Sequence, residues 1–155
     1  MAHFAELESK TDPTGFTSNT HLVVKRVVVV GNDVSTAAGP LGDNDEHVDG
    51  ETWCVNFFGG GTWKQTSYNN NFRKMYAGKG FVYNASKNKF LTPQPYASWS
   101  LDGSDDWQAP VTYPNGDQSA YLISWDEDNL RWVGVKISDN SNYRWDADNT
   151  EWVSL

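Results

Sequence analysis

Cysteine is almost missing from this chain of 155 residues: Cys54 stands alone, which excludes an intramolecular disulfide framework and a Cys-clustered zinc site. Positive charge is scarce as well. Twelve Lys and Arg face 20 Asp and Glu, a formal charge of −8 with a pI near 4.7. Binding condensed nucleic acid takes a basic stripe that this composition does not supply. Long apolar runs are absent too. The longest, Val27–Val30 behind Lys25 and Arg26, is strand-sized, whereas a membrane-spanning helix needs about 20 apolar residues, so no membrane partner is expected. Met1-Ala2-His3-Phe4 has neither the basic start nor the apolar stretch of a signal peptide, and the expectation is a protein made and folded in a cytoplasm. Few stretches hold a helical period over three turns, which weighs against a helix bundle, a coiled coil or a doubly wound sheet.

Aromatic rings, by contrast, are abundant. Eight Trp, seven Tyr and seven Phe stand against a hydrophobic fraction of only 38%, so rings must build the core. They alternate with Asn, Asp, Gly and Ser, which favour tight turns, while rings favour half-buried pleated surfaces. The expected fold is mainly β: short-strand hairpins and a small sheet, with one short α-helix.

Along the chain, residues 2–8 read as a strand and Ser9–Thr20 as a loop holding Asp12-Pro13 and Gly15. The β-branched density of His21–Gly31 predicts a strand buried on both faces. Residues 31–50, with four Gly, Pro40 and the acidic run Asp43–Glu46, predict an exposed connection. A helix is expected over Gly50–Phe58. Asp49 can cap it, Trp53 and Phe57 are four apart, as are Cys54 and Phe58, and Gly59-Gly60-Gly61 ends it. Cys54 then packs inward beside rings, a structural thiol rather than a nucleophile. After a strand from Thr62, a long loop carries Arg73, Lys74 and Lys79, the densest positive cluster. They are candidates for contact with an acidic partner, with a solvated loop as the plainer reading. Gly78-Lys79 is no phosphate loop, because Gly80 stands where Ser or Thr is required.

The last third contains a tandem repeat. Residues 125–135, beginning Trp125-Asp126-Glu127-Asp128-Asn129, align without gaps on 145–155, beginning Trp145-Asp146-Ala147-Asp148-Asn149, with six identities in eleven at an offset of 20. Looser relatives run Tyr83–Phe90 and Trp99–Trp107. Each is ring, polar turn, ring. Asp and Asn bond their own backbone and tolerate a left-handed conformation, so the spacing predicts hairpins whose flanking rings meet across two strands. Such pairs contribute about 0.5–1.5 kcal/mol beyond their burial. One hairpin alone is marginal, so several must stack or dock. The division expected is an N-terminal β body over 1–80 and a series of aromatic hairpins over 81–155.

Little in the sequence points to catalysis. His3, His21 and His47 lack metal-ligand spacing, and no nucleophile elbow, His-Glu-x-x-His or dinucleotide fingerprint is present. The carboxylates cluster in turns, so no acid–base pair can be selected. Asp126, Asp128 and Asn129 invite a calcium reading, but lack the Gly at the bend and the bidentate Glu of a dedicated loop, and turn chemistry accounts for them. Asn84-Ala85-Ser86 is a glycosylation sequon in spelling alone. No catalytic residue, metal or cofactor is expected. Two noncatalytic classes remain. In one, Trp hairpins and Pro-flanked segments such as Thr92–Tyr96, Gln108–Pro110 and Tyr113–Gly116 bury anchors on a neighbouring subunit. In the other, exposed Trp and Tyr stack on a carbohydrate. Trp125, Trp132, Trp145 and Trp152 are expected to stabilise hairpins, and Tyr96, Trp99 and Trp107 to anchor a neighbour.

Several pieces carry a resemblance: Met1–Leu7, Trp63-Lys64-Gln65-Thr66-Ser67-Tyr68-Asn69, Asn71-Phe72-Arg73, Tyr76-Ala77-Gly78, Pro93–Trp99 and Trp107–Pro110. On these the chain resembles a family of small proteins encoded by tailed bacteriophages, marine and cyanobacterial ones among them. It departs from shorter members over Ser9–Thr20 and Gly31–Gly50. The resemblance implies a noncatalytic virion component, a head decoration protein or tail-associated subunit assembled in the bacterial cytoplasm. Its partners would be major capsid or tail proteins, in a homo-oligomer or on an oligomeric lattice, with a glycan-binding adhesin as the alternative.

Overall fold

A computed structural model describes residues 1–42 and 48–155; the acidic run Asp43–Glu46 and His47 lie outside the described residues. The fold is mainly β, with one short helix among the described residues. The chain divides into two units, Met1–Pro93 and Gln94–Leu155. The division thus falls after residue 93 rather than near 80, because the hairpin at 82–91 pairs with the first sheet.

In the first unit, β1 (Ala2–Thr11) and β2 (Thr20–Val30) form a long antiparallel pair, from Ala2 opposite Val30 to Thr11 opposite Thr20. Asp12 locks the turn between them. Its carboxylate accepts hydrogen bonds from the amides and hydroxyls of both Thr14 and Thr17. Those bonds, the Thr14 hydroxyl foremost, hold the carboxyl down to about 2. A small ladder joins β3 (Ser35–Thr36) to β4 (Gly39–Pro40). After the helix α1 (Val48–Phe58), β5 (Thr62–Thr66) lies along the free side of β1. A hairpin of β6 (Val82–Asn84) and β7 (Lys89–Leu91) extends the other side, giving the order β5-β1-β2-β6-β7.

Both faces of this sheet are covered. Phe4, Ala2, Val30 and Trp63 meet Leu41 and Cys54 on one face; Ala5, Leu7 and Val24 meet Ala77, Tyr83 and Phe90 on the other. A bulge makes this possible. Between the Glu6–Arg26 and Leu7–Val24 pairs, β2 holds one extra residue, Lys25. Val24 and Val27 are three apart and would otherwise point to opposite faces, but the bulge turns both onto the second face. Burial of β2 on both faces holds for part of its length, since Val29 is 56% exposed and Lys25 and Arg26 face Glu6 in solvent. The connection 31–42 is likewise more than an exposed loop, because Leu41 is buried in the first cluster.

Acidic residues Asp49 and Glu51 occupy the first turn of α1, where the helix dipole favours them, and the Gly60 amide closes the last turn on the Val55 carbonyl. Only Gly50 and Cys54 are buried along the helix. A Cβ on Gly50 would stand 2.7 Å from Leu41 Cδ1 and 2.9 Å from Phe4 Cε1, so the glycine lets the helix seat on the Phe4 ring. Gly50→Ala is expected to cost about 1–3 kcal/mol as overpacking, despite the better helix propensity of Ala. Urea denaturation reads this directly, and an unchanged midpoint would contradict the packing. Burial, with the neighbouring Glu51 charge, pushes the Cys54 thiol up to about 12. Native protein at pH 8 should therefore resist iodoacetamide, and unfolded protein should label fully; mass spectrometry separates the two.

In the second unit, four strands run as an antiparallel meander: β10 (Tyr121–Asp126), β11 (Arg131–Lys136), β12 (Asn142–Asp146) and β13 (Glu151–Ser154). The two-residue strands β8 (Ser100–Leu101) and β9 (Trp107–Gln108) form a separate ladder, with Leu101 opposite Trp107.

Candidate functional site

The repeated Asp-x-Asp-Asn stretches build the ring cluster of the second unit. Asp126 accepts from the Asn129 amide and side chain and from Arg131 Nε; Asp146 accepts from the Asn149 amide and side chain. These bonds hold both carboxyls below the usual range, the Asn129 side chain being the chief cause for Asp126 and the Asn149 amide for Asp146. Leu130 and Thr150, at equivalent repeat positions, are both left-handed, with φ of 50° and 55°. The hairpin at 83–90 repeats the geometry. Asn84 accepts from the Lys87 amide, Asn88 has φ 51°, and Tyr83 lies opposite Phe90.

The flanking rings meet as the spacing requires. Trp125 lies opposite Trp132 with ring centres 5.1 Å apart, and Trp145 opposite Trp152 at 5.3 Å, both pairs edge to face. Three of the four use their polar edges inside the unit. Trp125 Nε1 donates to Glu127, Trp132 Nε1 to the Val111 carbonyl and Trp152 Nε1 to Gln118 Oε1. Gly134 clears the path of Trp152, whose ring a Cβ there would approach to 2.9 Å, and Trp152 thereby stacks on Tyr121 at 4.7 Å. These four Trp form a core.

Tyr96 and Trp99, expected as anchors for a neighbour, join the same cluster: Trp99 stands 5.8 Å from Trp132 and 6.2 Å from Trp125, and Tyr96 5.5 Å from Trp99. Glu127 fixes this segment by accepting from the Ser98 amide and hydroxyl at 2.8 and 2.7 Å. Trp99 is therefore no cross-strand partner of Trp107, which is half-buried on its own ladder opposite Leu101.

Arg73 is also placed otherwise than expected. Its side chain is only 9% exposed and pairs with Glu51 at 2.8 Å. The guanidinium donates further to Asn88 Oδ1 and the Gln65 carbonyl. A loop arginine beside a helix carboxylate, with strand carbonyls in reach, finds its acid inside the fold. Arg73 and Lys74 are both left-handed, with φ of 53° and 69°, a conformation costing roughly 1–2 kcal/mol per residue. The Arg73 bonds offset that cost. Lys74 is half-buried and Lys79 exposed, while Arg73 is already committed to Glu51 inside the fold.

What the first unit does expose is a pair of rings, Phe57 and Phe58, at the outer end of a run that begins in the core. Trp53 stacks on Phe57 at 4.6 Å, Phe57 meets Phe58 edge-on at 4.9 Å, and Phe58 stacks on Trp63 at 4.8 Å. The Arg26 guanidinium covers Phe58 at 4.8 Å. Phe57 is 66% exposed and Phe58 37%. The i, i+4 relation of Trp53 to Phe57 is visible in the sequence, yet Trp53 packs against the core while Phe57 lies outside it, because Gly50 and Cys54 define the inward stripe. Packed, pre-ordered rings with an arginine on top have the composition of an interaction surface.

Among the described residues, no group of three or more His, Cys, Asp or Glu is placed to hold a metal ion, and no helix is long and apolar enough to cross a membrane. Compared with known proteins, the chain matches no family model, no curated protein and no solved structure.

Proposed function

We propose that the chain is a noncatalytic bacteriophage virion protein, a head decoration or tail-associated subunit that docks on other virion proteins. The observation that carries this reading is the exposed pair Phe57 and Phe58, propped on the half-buried Trp53 and lying beside Arg26. Rings held in place by one another lose little freedom on binding, and aromatic residues with Arg dominate interface energetics. The likeness of Trp63–Asn69 and neighbouring pieces to tailed-phage proteins supplies the class of partner, a major capsid or tail protein. The copy number per purified particle, by quantitative mass spectrometry against the major shell protein, tests the reading. Hundreds of copies assign a head decoration protein, and a few to several dozen a tail or vertex subunit. Absence from the particle overturns the proposal.

A further inference from the structure

At one end of the second sheet face, three rings close on each other away from either core. His3 lies parallel to Tyr68, with centres 5.6 Å apart and planes 22° apart. Tyr76 stands edge-on to both, at 5.5 Å from His3 and 5.4 Å from Tyr68. The trio is fixed from below. His3 pairs with Thr66 across the β1–β5 ladder, the buried Thr66 hydroxyl accepts from the Ala77 amide, and the Tyr76 amide donates to Asn70 Oδ1. Tyr68 ends the stack and is 68% exposed. A groove of about 240 Å³ runs beside it, between the start of β1 and residues 65–69.

Part of the polar lining is engaged, since the Thr66 and Ser67 hydroxyls accept from the Ala77 and Asn71 amides. Among the described residues, no hydrogen bond reaches the His3 imidazole, the Tyr68 or Tyr76 hydroxyl, or the Asn69 side chain. Among the described residues, no carboxylate lines the groove. Burial, with the chain's amino group, lowers the His3 pKa, so at neutral pH the imidazole presents one donor and one acceptor. Val29, opposite His3 in the β1–β2 ladder, adds exposed apolar surface.

A flat ring with an open face, beside uncharged groups that both donate and accept, suits a ligand whose own surface alternates C–H faces with hydroxyls. We infer that Tyr68, His3, Tyr76 and Asn69 form a binding site for a neutral saccharide, one sugar ring stacking on the open face of Tyr68 while its hydroxyls bond Asn69, with His3 behind and Tyr76 beside holding the Tyr68 ring in place. The groove is smaller than the ~300–1,000 Å³ of pockets that enclose drug-sized ligands, which fits a single ring of a longer glycan. This inference rests on the rings of the chain alone, and it stands whether or not the protein is found on a particle.

The test is NMR titration of the full chain with a panel of neutral sugars: glucose, galactose, mannose, N-acetylglucosamine, maltose and cellobiose. The expected result is saturable shifts at His3, Tyr68, Asn69 and Tyr76 with at least one of them. Tyr68→Ala, at a position too exposed to threaten the fold, should weaken that binding about tenfold. Tyr113→Ala, at an exposed ring of the second unit, should leave it unchanged. No saturable shift with any sugar, shifts centred on other residues, or equal binding by Tyr68→Ala would overturn the assignment.

Discussion

Trp132→Ala is expected to unfold the C-terminal unit. Truncating a buried Trp costs about 3–5 kcal/mol, and a core formed by fewer than about 70 residues rarely supplies more than that in total. Trp132 is the centre of its cluster. It meets Trp125, Trp99 and Tyr113 edge to face and satisfies the Val111 carbonyl through Nε1. The substitution therefore loses three ring contacts and leaves a backbone acceptor without its donor. Near-UV circular dichroism and amide exchange over Gln94–Leu155 are the readouts. Leu122→Ala, on the same sheet but 66% exposed, should stay within about 0.5 kcal/mol of the parent. A Trp132→Ala protein with intact exchange protection from Tyr121 to Ser154 would remove the cluster from its role as the core of this unit.

Arg73→Met should cost about 3–5 kcal/mol, the range for breaking a buried ion pair by removing one partner. Glu51 is 12% exposed and keeps Lys64 Nζ at 3.1 Å and the Gln65 amide at 2.9 Å. The Gln65 carbonyl and Asn88 Oδ1 would lose their guanidinium donors, and Asn88 also accepts from the Tyr83 hydroxyl. Arg73→Lys should rescue little. One ammonium cannot reproduce a planar fork that serves Asn88 through Nε and Glu51 and Gln65 through Nη1. A double-mutant cycle with Glu51→Gln, followed by urea denaturation, isolates the pair. A loss below about 1 kcal/mol for Arg73→Met would class the pair with surface ion pairs, which contribute 0–1 kcal/mol.

The contrast between these residues shows what a sequence makes legible. Trp132 was readable because its partner, Trp125, sits seven positions away across a turn whose Asp and Asn announce themselves. The alignment on Trp145–Leu155 then fixed which rings face each other. The helix was readable from the glycines that end it, but it starts at Val48, so Asp49 sits inside the first turn rather than capping it. Arg73 was not readable, because its acid lies 22 residues back on a different element and its carbonyl on a third. Trp99 was misplaced for a related reason: its distance to Trp107 mimics a hairpin, while its actual neighbours, Trp125 and Trp132, are brought close by a docked segment that Glu127 clamps. Phe57 and Phe58 were harder to place, because i, i+4 spacing marks stripes on α1 without saying which stripe meets the sheet.

The two sheets differ in the length of chain each ladder must close, and that difference governs the order in which they assemble. In the meander every strand pairs with the next one along, and Trp125 finds Trp132 across a four-residue loop. In the first sheet, His3 must find Thr66, and Leu22 must find Tyr83. Closing longer loops costs more entropy before any contact repays it, and chains rich in distant pairings fold more slowly. During synthesis the first unit cannot complete its ladders until residue 91 has emerged, whereas each hairpin of the second is able to close within a few residues of being made. Topology thus lets the smaller unit, which is translated last, become ordered on the faster timescale.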